Sequence, residues 1–196
     1  MNADEQPIVD WVNLPTGAVE LSLWDTLHDG DLIAIKSDLM TQTLTLTFDV
    51  GYVRKFHKLP EATRFEVLVG GVQSVRSASS VPWPGGCFIP PETPNEEQNR
   101  IIAEYHSKWR EDSLSWADFE RLIDKGFEVS NASLAYGASG VALRLVLLVG
   151  NDSCVEAFIR GETVSFLIGE QQLTPEEFIA LGEAYWAAFA SRGASN

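Results

Sequence analysis

The sequence predicts an α+β protein, with antiparallel sheet and packed helices, and three observations carry that prediction. Thr43-Leu44-Thr45-Leu46-Thr47-Phe48 alternates strictly between apolar and polar residues, the pattern of a strand with one buried face. Apolar runs over Phe127–Tyr136, Val141–Val149, Val155–Arg160 and Val164–Ile168, parted by glycine-bearing turns, read as consecutive strands. Thr93-Pro94-Asn95-Glu96 and Thr174-Pro175-Glu176-Glu177 each supply a capping threonine, a proline at the first helical position and an acid that reaches back.

In chain order, residues 1–17 form an arm whose Ile8, Val9, Trp11, Val12 and Leu14 can dock on a core, ending in a turn at Asn13–Gly17. Over Ala18–Asp29 the apolar Val19, Leu23, Trp24 and Leu27 fall at helical spacing, with Gly30 placed as a C-cap glycine. A strand across Val19–Leu23 is the alternative. Asp31–Lys36 is the next strand, joined by a hairpin loop at Ser37–Gln42 to the alternating one. Lys55–Pro60 reads as a basic, irregular connection. Phe65–Val69 and Val72–Ala78 form a hairpin about Gly70-Gly71.

Residues 79–95 make a long proline- and glycine-rich loop, of a length that is often functional. The helix begun at Thr93 presents Ile101, Ile102, Tyr105 and Trp109, and a second helix from Ser115 to Gly126 presents Trp116, Phe119, Leu122 and Ile123. The run Val141–Val149 has little polar alternation and belongs in the middle of a sheet. The last helix carries Phe178, Leu181, Tyr185, Trp186 and Phe189 on one stripe.

An α-β-β-β-β-α order thus occurs twice, over residues 18–110 and 111–196, and each copy closes on a Thr-Pro-x-Glu helix. The expectation is an internal duplication whose halves pack as a pseudo-symmetric pair. In the second copy Lys125 and Phe127 stand where the first has Asp29 and Asp31, so any chemistry tied to those acids belongs to the first copy.

The hydrophobic share of 45% over 196 residues is enough for a real core. A net charge of -14 disfavours nucleic acid and anionic membrane surfaces and favours a basic protein surface or a cation, unless the acidity serves only solubility. Cys87 and Cys154 form neither a disulfide framework nor a zinc ribbon. No signal-peptide pattern opens the chain and no run of about 20 apolar residues occurs, so a cytoplasmic protein is expected.

The candidate binding residues are Asp25, His28, Asp29, Asp31 and Trp83. Carboxylates and an imidazole suit a divalent cation, which makes a metal-dependent hydrolase at His28, Asp29 and Asp31 one alternative. No metal-ligand spacing accompanies them, however, and turn residues around a cap glycine explain them as well, so no metal or cofactor is assigned. Trp83, between two prolines, can anchor a small molecule or peptide, or plug the core. His57 and His106 sit in no catalytic motif, Cys87 has no basic neighbour to activate it, and no nucleophile elbow, P-loop or dinucleotide fingerprint is present.

Leu27-His28-Asp29-Gly30-Asp31-Leu32-Ile33-Ala34-Ile35, followed by Thr43–Phe48, resembles the opening of small bacterial proteins of which some are grouped with immunity proteins of polymorphic toxin systems. The resemblance covers only this opening. It implies a binding role without catalytic residues, in keeping with a non-enzymatic, acidic inhibitor of a basic protein.

Overall fold

The computed structural model describes residues 17–79, 93–97, 100–101, 110–112, 127–149 and 153–193. In chain order the elements are β1 (Val19–Ser22), α1 (Trp24–Leu27), β2 (Asp31–Asp38), β3 (Thr43–Asp49), α2 (Gly51–Phe56), β4 (Phe65–Gly70), β5 (Ser74–Ser79), β6 (Arg110–Asp112), β7 (Phe127–Gly137), β8 (Gly140–Val149), β9 (Ser153–Gly161), β10 (Thr163–Ile168), β11 (Gln171–Leu173) and α3 (Pro175–Gly193). All the described strands enter one antiparallel sheet in the order β11-β10-β4-β3-β2-β7-β8-β9-β5-β6, with β1 also on β7. The α+β class with antiparallel sheet therefore holds.

The alternating strand behaves as its pattern requires. Leu44, Leu46 and Phe48 are fully buried opposite Val69, Val67 and Phe65 of β4, while the threonines lie half-buried on the other face. β8 sits between β7 and β9 and contributes Leu143, Leu145 and Leu147 to the same core. Phe166 of β10 and Phe178 of α3 close that core from the first-half side.

Strand order is palindromic about the β2–β7 contact. Outward from it run β3, β4 and β10 on one side and β8, β9 and β5 on the other. Each meander, β2-β3-β4 or β7-β8-β9, is followed in the chain by a strand that pairs with the last strand of the other. The two connections meet where they cross: the Glu162 amide donates to the Gly70 carbonyl and the Gln73 amide to the Arg160 carbonyl, both at 2.8 Å. This corrects the expected hairpin at Gly70-Gly71, since β4 and β5 are not partners: β4 pairs with β3 and β10, and β5 with β9 and β6.

Three local expectations are corrected as well. Over Ala18–Asp29 the alternative of a strand across Val19–Leu23 replaces the predicted helix, with one helical turn after it, because Val19–Ser22 finds ladder partners in Tyr136–Ser133. Only Leu23 and Leu27, i and i+4 across that turn, keep the helical stripe, and both are fully buried. Gly30 is not the left-handed cap residue; Asp29 takes that conformation, with φ 57°. Gly30 is small for another reason, since a Cβ there would lie 3.0 Å from both the Leu27 carbonyl and Val50. The stretch expected as an irregular connection at Lys55–Pro60 begins inside α2, and its left-handed residue is Lys58, with φ 54°. β11 had no counterpart in the sequence reading.

The capping threonine of the last helix is as expected. Glu177 accepts from the Thr174 amide at 2.8 Å, and the Thr174 hydroxyl accepts from the Glu177 amide at 3.2 Å. Of the helix begun at Thr93, residues 95–97 and 100–101 are helical. The expected helix at 115–126, the loop with Trp83 and Cys87, the N-terminal arm to residue 16, and His106 lie outside the described residues.

α1 occupies a gap in the sheet. It leaves between β1 and β2, which share the same edge of β7, and returns through Asp29 N to Val129 O at 3.0 Å and Val129 N to Gly30 O at 2.8 Å. Thr26, fully buried, donates its hydroxyl to the Phe178 carbonyl at 2.7 Å and so ties α1 to α3. Thr26→Val keeps the shape and loses that bond, and is expected to lower the unfolding free energy by about 1 kcal/mol in urea titration.

Candidate functional site

A short α1 creates the first feature of the site. Its single turn leaves the Asp25 carbonyl without a helical partner, because the Asp29 amide is turned to Val129. Two side chains take that oxygen instead: the Tyr52 hydroxyl at 3.0 Å and the Trp186 indole N–H at 2.9 Å. A helix terminus is thereby satisfied by side chains from α2 and α3.

These bonds align a row of rings. Trp186 stacks on Trp24 at 5.3 Å between centroids, and Trp24 on His28 at 4.5 Å. On its other side Trp186 meets Tyr52 at 5.7 Å, and Tyr52 meets Tyr185 at 4.6 Å. Phe56 stands edge-on to Tyr185 at 5.8 Å. Tyr185 and Trp186 are half-buried, and Phe189, on the next turn of α3, is 58% exposed.

Of these rings, Tyr52, Phe56, Tyr185 and Trp186 form part of the wall of an open groove of about 940 Å³ between α2, α3 and the start of β2. Asp29, Asp31 and Asp49 line it. So do Arg54, Lys55, Lys58 and Arg192. Asp49 is already engaged, since Arg54 is ion-paired with it and Arg64 stands 3.8 Å away. Asp31 lies directly across the ladder from Asp49, which brings two acids side by side. Among the described residues, Asp31, Lys55, Lys58 and Arg192 have no ion-pair partner, and all four are exposed.

The residues expected from sequence divide accordingly. Asp29 and Asp31 do line the groove. Asp25 contributes its backbone carbonyl to the ring scaffold. His28 is braced: Nδ1 lies 3.1 Å from the Ser130 carbonyl and Nε2 3.1 Å from Asp29, so both ring nitrogens face oxygens of the chain itself. Among the described residues no three His, Cys, Asp or Glu side chains form a group able to hold a metal. His57 is half-buried with Nε2 2.9 Å from the Leu181 carbonyl, which locks α2 to α3. Trp83 lies outside the described residues.

Tyr52, Arg54, Lys55, Lys58, Tyr185, Trp186 and Arg192 were not among the expected site residues. Tyr185 and Trp186 had a signal, an aromatic pair on the stripe of the last helix, but that stripe reads equally as core. α2 is six residues long and gave none.

Burial pushes the Tyr52 hydroxyl well above the usual tyrosine range, and the charge of Asp29 adds to the effect. The folded state thus prefers the protonated phenol. Its contribution to stability is complete below the unfolded value of about 10 and is lost as pH rises from there through the raised folded value. Unfolding free energy should fall with pH in that alkaline window, and Tyr52→Phe should reduce the slope, as measured by urea titrations at a series of pH values.

Comparison with protein families, with curated proteins and with solved structures finds no match. No helix among the described residues is long and apolar enough to cross a membrane.

Proposed function

We propose that this chain is a non-enzymatic binding protein of inhibitor or immunity type, acting in the cytoplasm on a protein partner with a basic surface. The observation that supports the reading best is the groove itself. It sets two exposed acids, Asp29 and Asp31, beside half-buried rings, the composition from which interface anchors are built. The net charge of -14 adds long-range attraction that speeds encounter with a basic partner. Hydrolysis centred on His28 draws less support, since that ring is braced by Ser130 and Asp29 instead of opening onto the groove.

The palindromic strand order supports a second part of the reading, that the two meanders descend from one duplicated unit whose fourth strand crosses to the other copy.

Binding to a basic protein domain tests the functional reading. Asp29→Asn with Asp31→Asn is expected to weaken binding about tenfold, measured by calorimetry at low salt, with the difference shrinking as salt screens the charges. Neutralising two exposed acids elsewhere, Glu20 and Glu170, should change affinity far less. Equal losses from both pairs would mean that only net charge matters, and the groove would not be the site.

A further inference from the structure

The groove carries charges of both signs, and they are set apart along α2. Asp49, opposite Asp31 in the ladder, precedes the first residue of α2, whereas Lys55 lies in its last turn and Lys58 just beyond it. A six-residue helix rises about 9 Å. By backbone position the acids mark one end of α2 and the two lysines the other, an order that the helix dipole also favours, while Arg54 of the last turn reaches back to pair with Asp49. The rings of Tyr52, Phe56 and Tyr185 line the same groove. In a chain with twice as many acids as bases, two lysines that have no ion-pair partner among the described residues, at one end of a groove, are not explained by a uniformly basic ligand.

We propose that the groove recognises an extended, mixed-charge segment of a protein partner: a basic side chain against Asp31 and Asp29, an apolar side chain on the Tyr185–Tyr52 rings, and an acidic side chain against Lys55 and Lys58. Extended chain advances about 3.3 Å per residue, so a separation of about 9 Å sets the basic and acidic residues three apart. The inference rests on the reading of the groove as the partner site and names what that site reads. A partner that is basic overall meets it with a local patch of both signs.

Three blocked hexapeptides test it on the full chain: Gly-Arg-Leu-Gly-Glu-Gly, the same with arginine at both charged positions, and the same with glutamate at both. Binding is followed by NMR through the Trp186 indole and the Tyr52 ring. The mixed peptide should bind about tenfold more tightly than either uniform one. Asp31→Lys should shift preference to the glutamate peptide, and Lys55→Glu with Lys58→Glu to the arginine peptide; all three positions are exposed, so folding is not at issue. If the double-arginine peptide binds as well as the mixed one, the groove reads cations alone; the inference falls and the basic-partner reading stands. If the double-glutamate peptide binds best, both fall. If no peptide perturbs the rings at millimolar concentration, the inference falls, and the Asp29 and Asp31 neutralisation decides the partner reading separately.

Discussion

Gly182→Ala is expected to unseat α3 from α1 and to destabilise the protein by about 3 kcal/mol. A Cβ at this position would fall on the Asp25 carbonyl group and lie 2.5 Å from the Thr26 amide nitrogen. The obstacle is backbone, not the end of a flexible side chain, so the helix itself must move. Movement breaks the Thr26 bond to Phe178 and the Trp186 bond to Asp25. Alanine's better helix propensity returns about 1 kcal/mol, which is too little to offset the loss. Urea unfolding followed by tryptophan fluorescence measures the difference. If the variant were more stable, as propensity alone would make it, α3 would not press on α1 in this way. The groove is built on that contact, so the same variant should also weaken partner binding.

Phe178→Ala is expected to cost about 4 kcal/mol, the range for deleting a fully buried aromatic side chain. Phe178 has no exposure and joins three elements. Its ring lies 4.6 Å from that of Phe166 on β10 and 6.3 Å, edge-on, from that of Phe65 on β4. Removing it leaves a cavity between the sheet and the long helix that neither rigid strand can fill. Phe178→Leu retains most of the volume and should cost about 1.5 kcal/mol. Chemical denaturation separates the two. Equal losses would show that ring packing contributes little there.

The strands were legible because their causes are local. Thr43–Phe48 names its own buried face, and the turns between Phe127 and Ile168 are marked by glycine. The cap at Thr174 was legible for the same reason, since every partner lies within three residues. The crossing of β5 and β10 was not legible. Gly70-Gly71 looks like a hairpin turn until Arg160–Glu162 arrives from ninety residues away to take the hydrogen bonds. β1 was left between helix and strand because its ladder partner, β7, lies more than 110 residues away, while Val19, Leu23 and Leu27 satisfy a helical spacing.

The site was half legible. Asp29 and Asp31 stood out as acids around a glycine, and they line the groove. His28 stood out equally, but its ring is held by Ser130, 102 residues away, as well as by its sequence neighbours Asp29 and Trp24. The ring wall depends on a carbonyl, that of Asp25, freed because α1 stops after one turn; no side chain announces this. Tyr185 and Trp186 therefore read as core residues of an amphipathic helix until α2 is placed beside them.

Hydrogen exchange of the full chain, alone and saturated with a basic protein partner, shows whether the groove is where a partner binds. Slowed exchange is expected over residues 50–58 and 185–192, where α2 and α3 form the groove, with β5, toward the far end of the sheet, unchanged. Slowed exchange at β5 with none along α2 and α3 would contradict that expectation and place the partner on another surface.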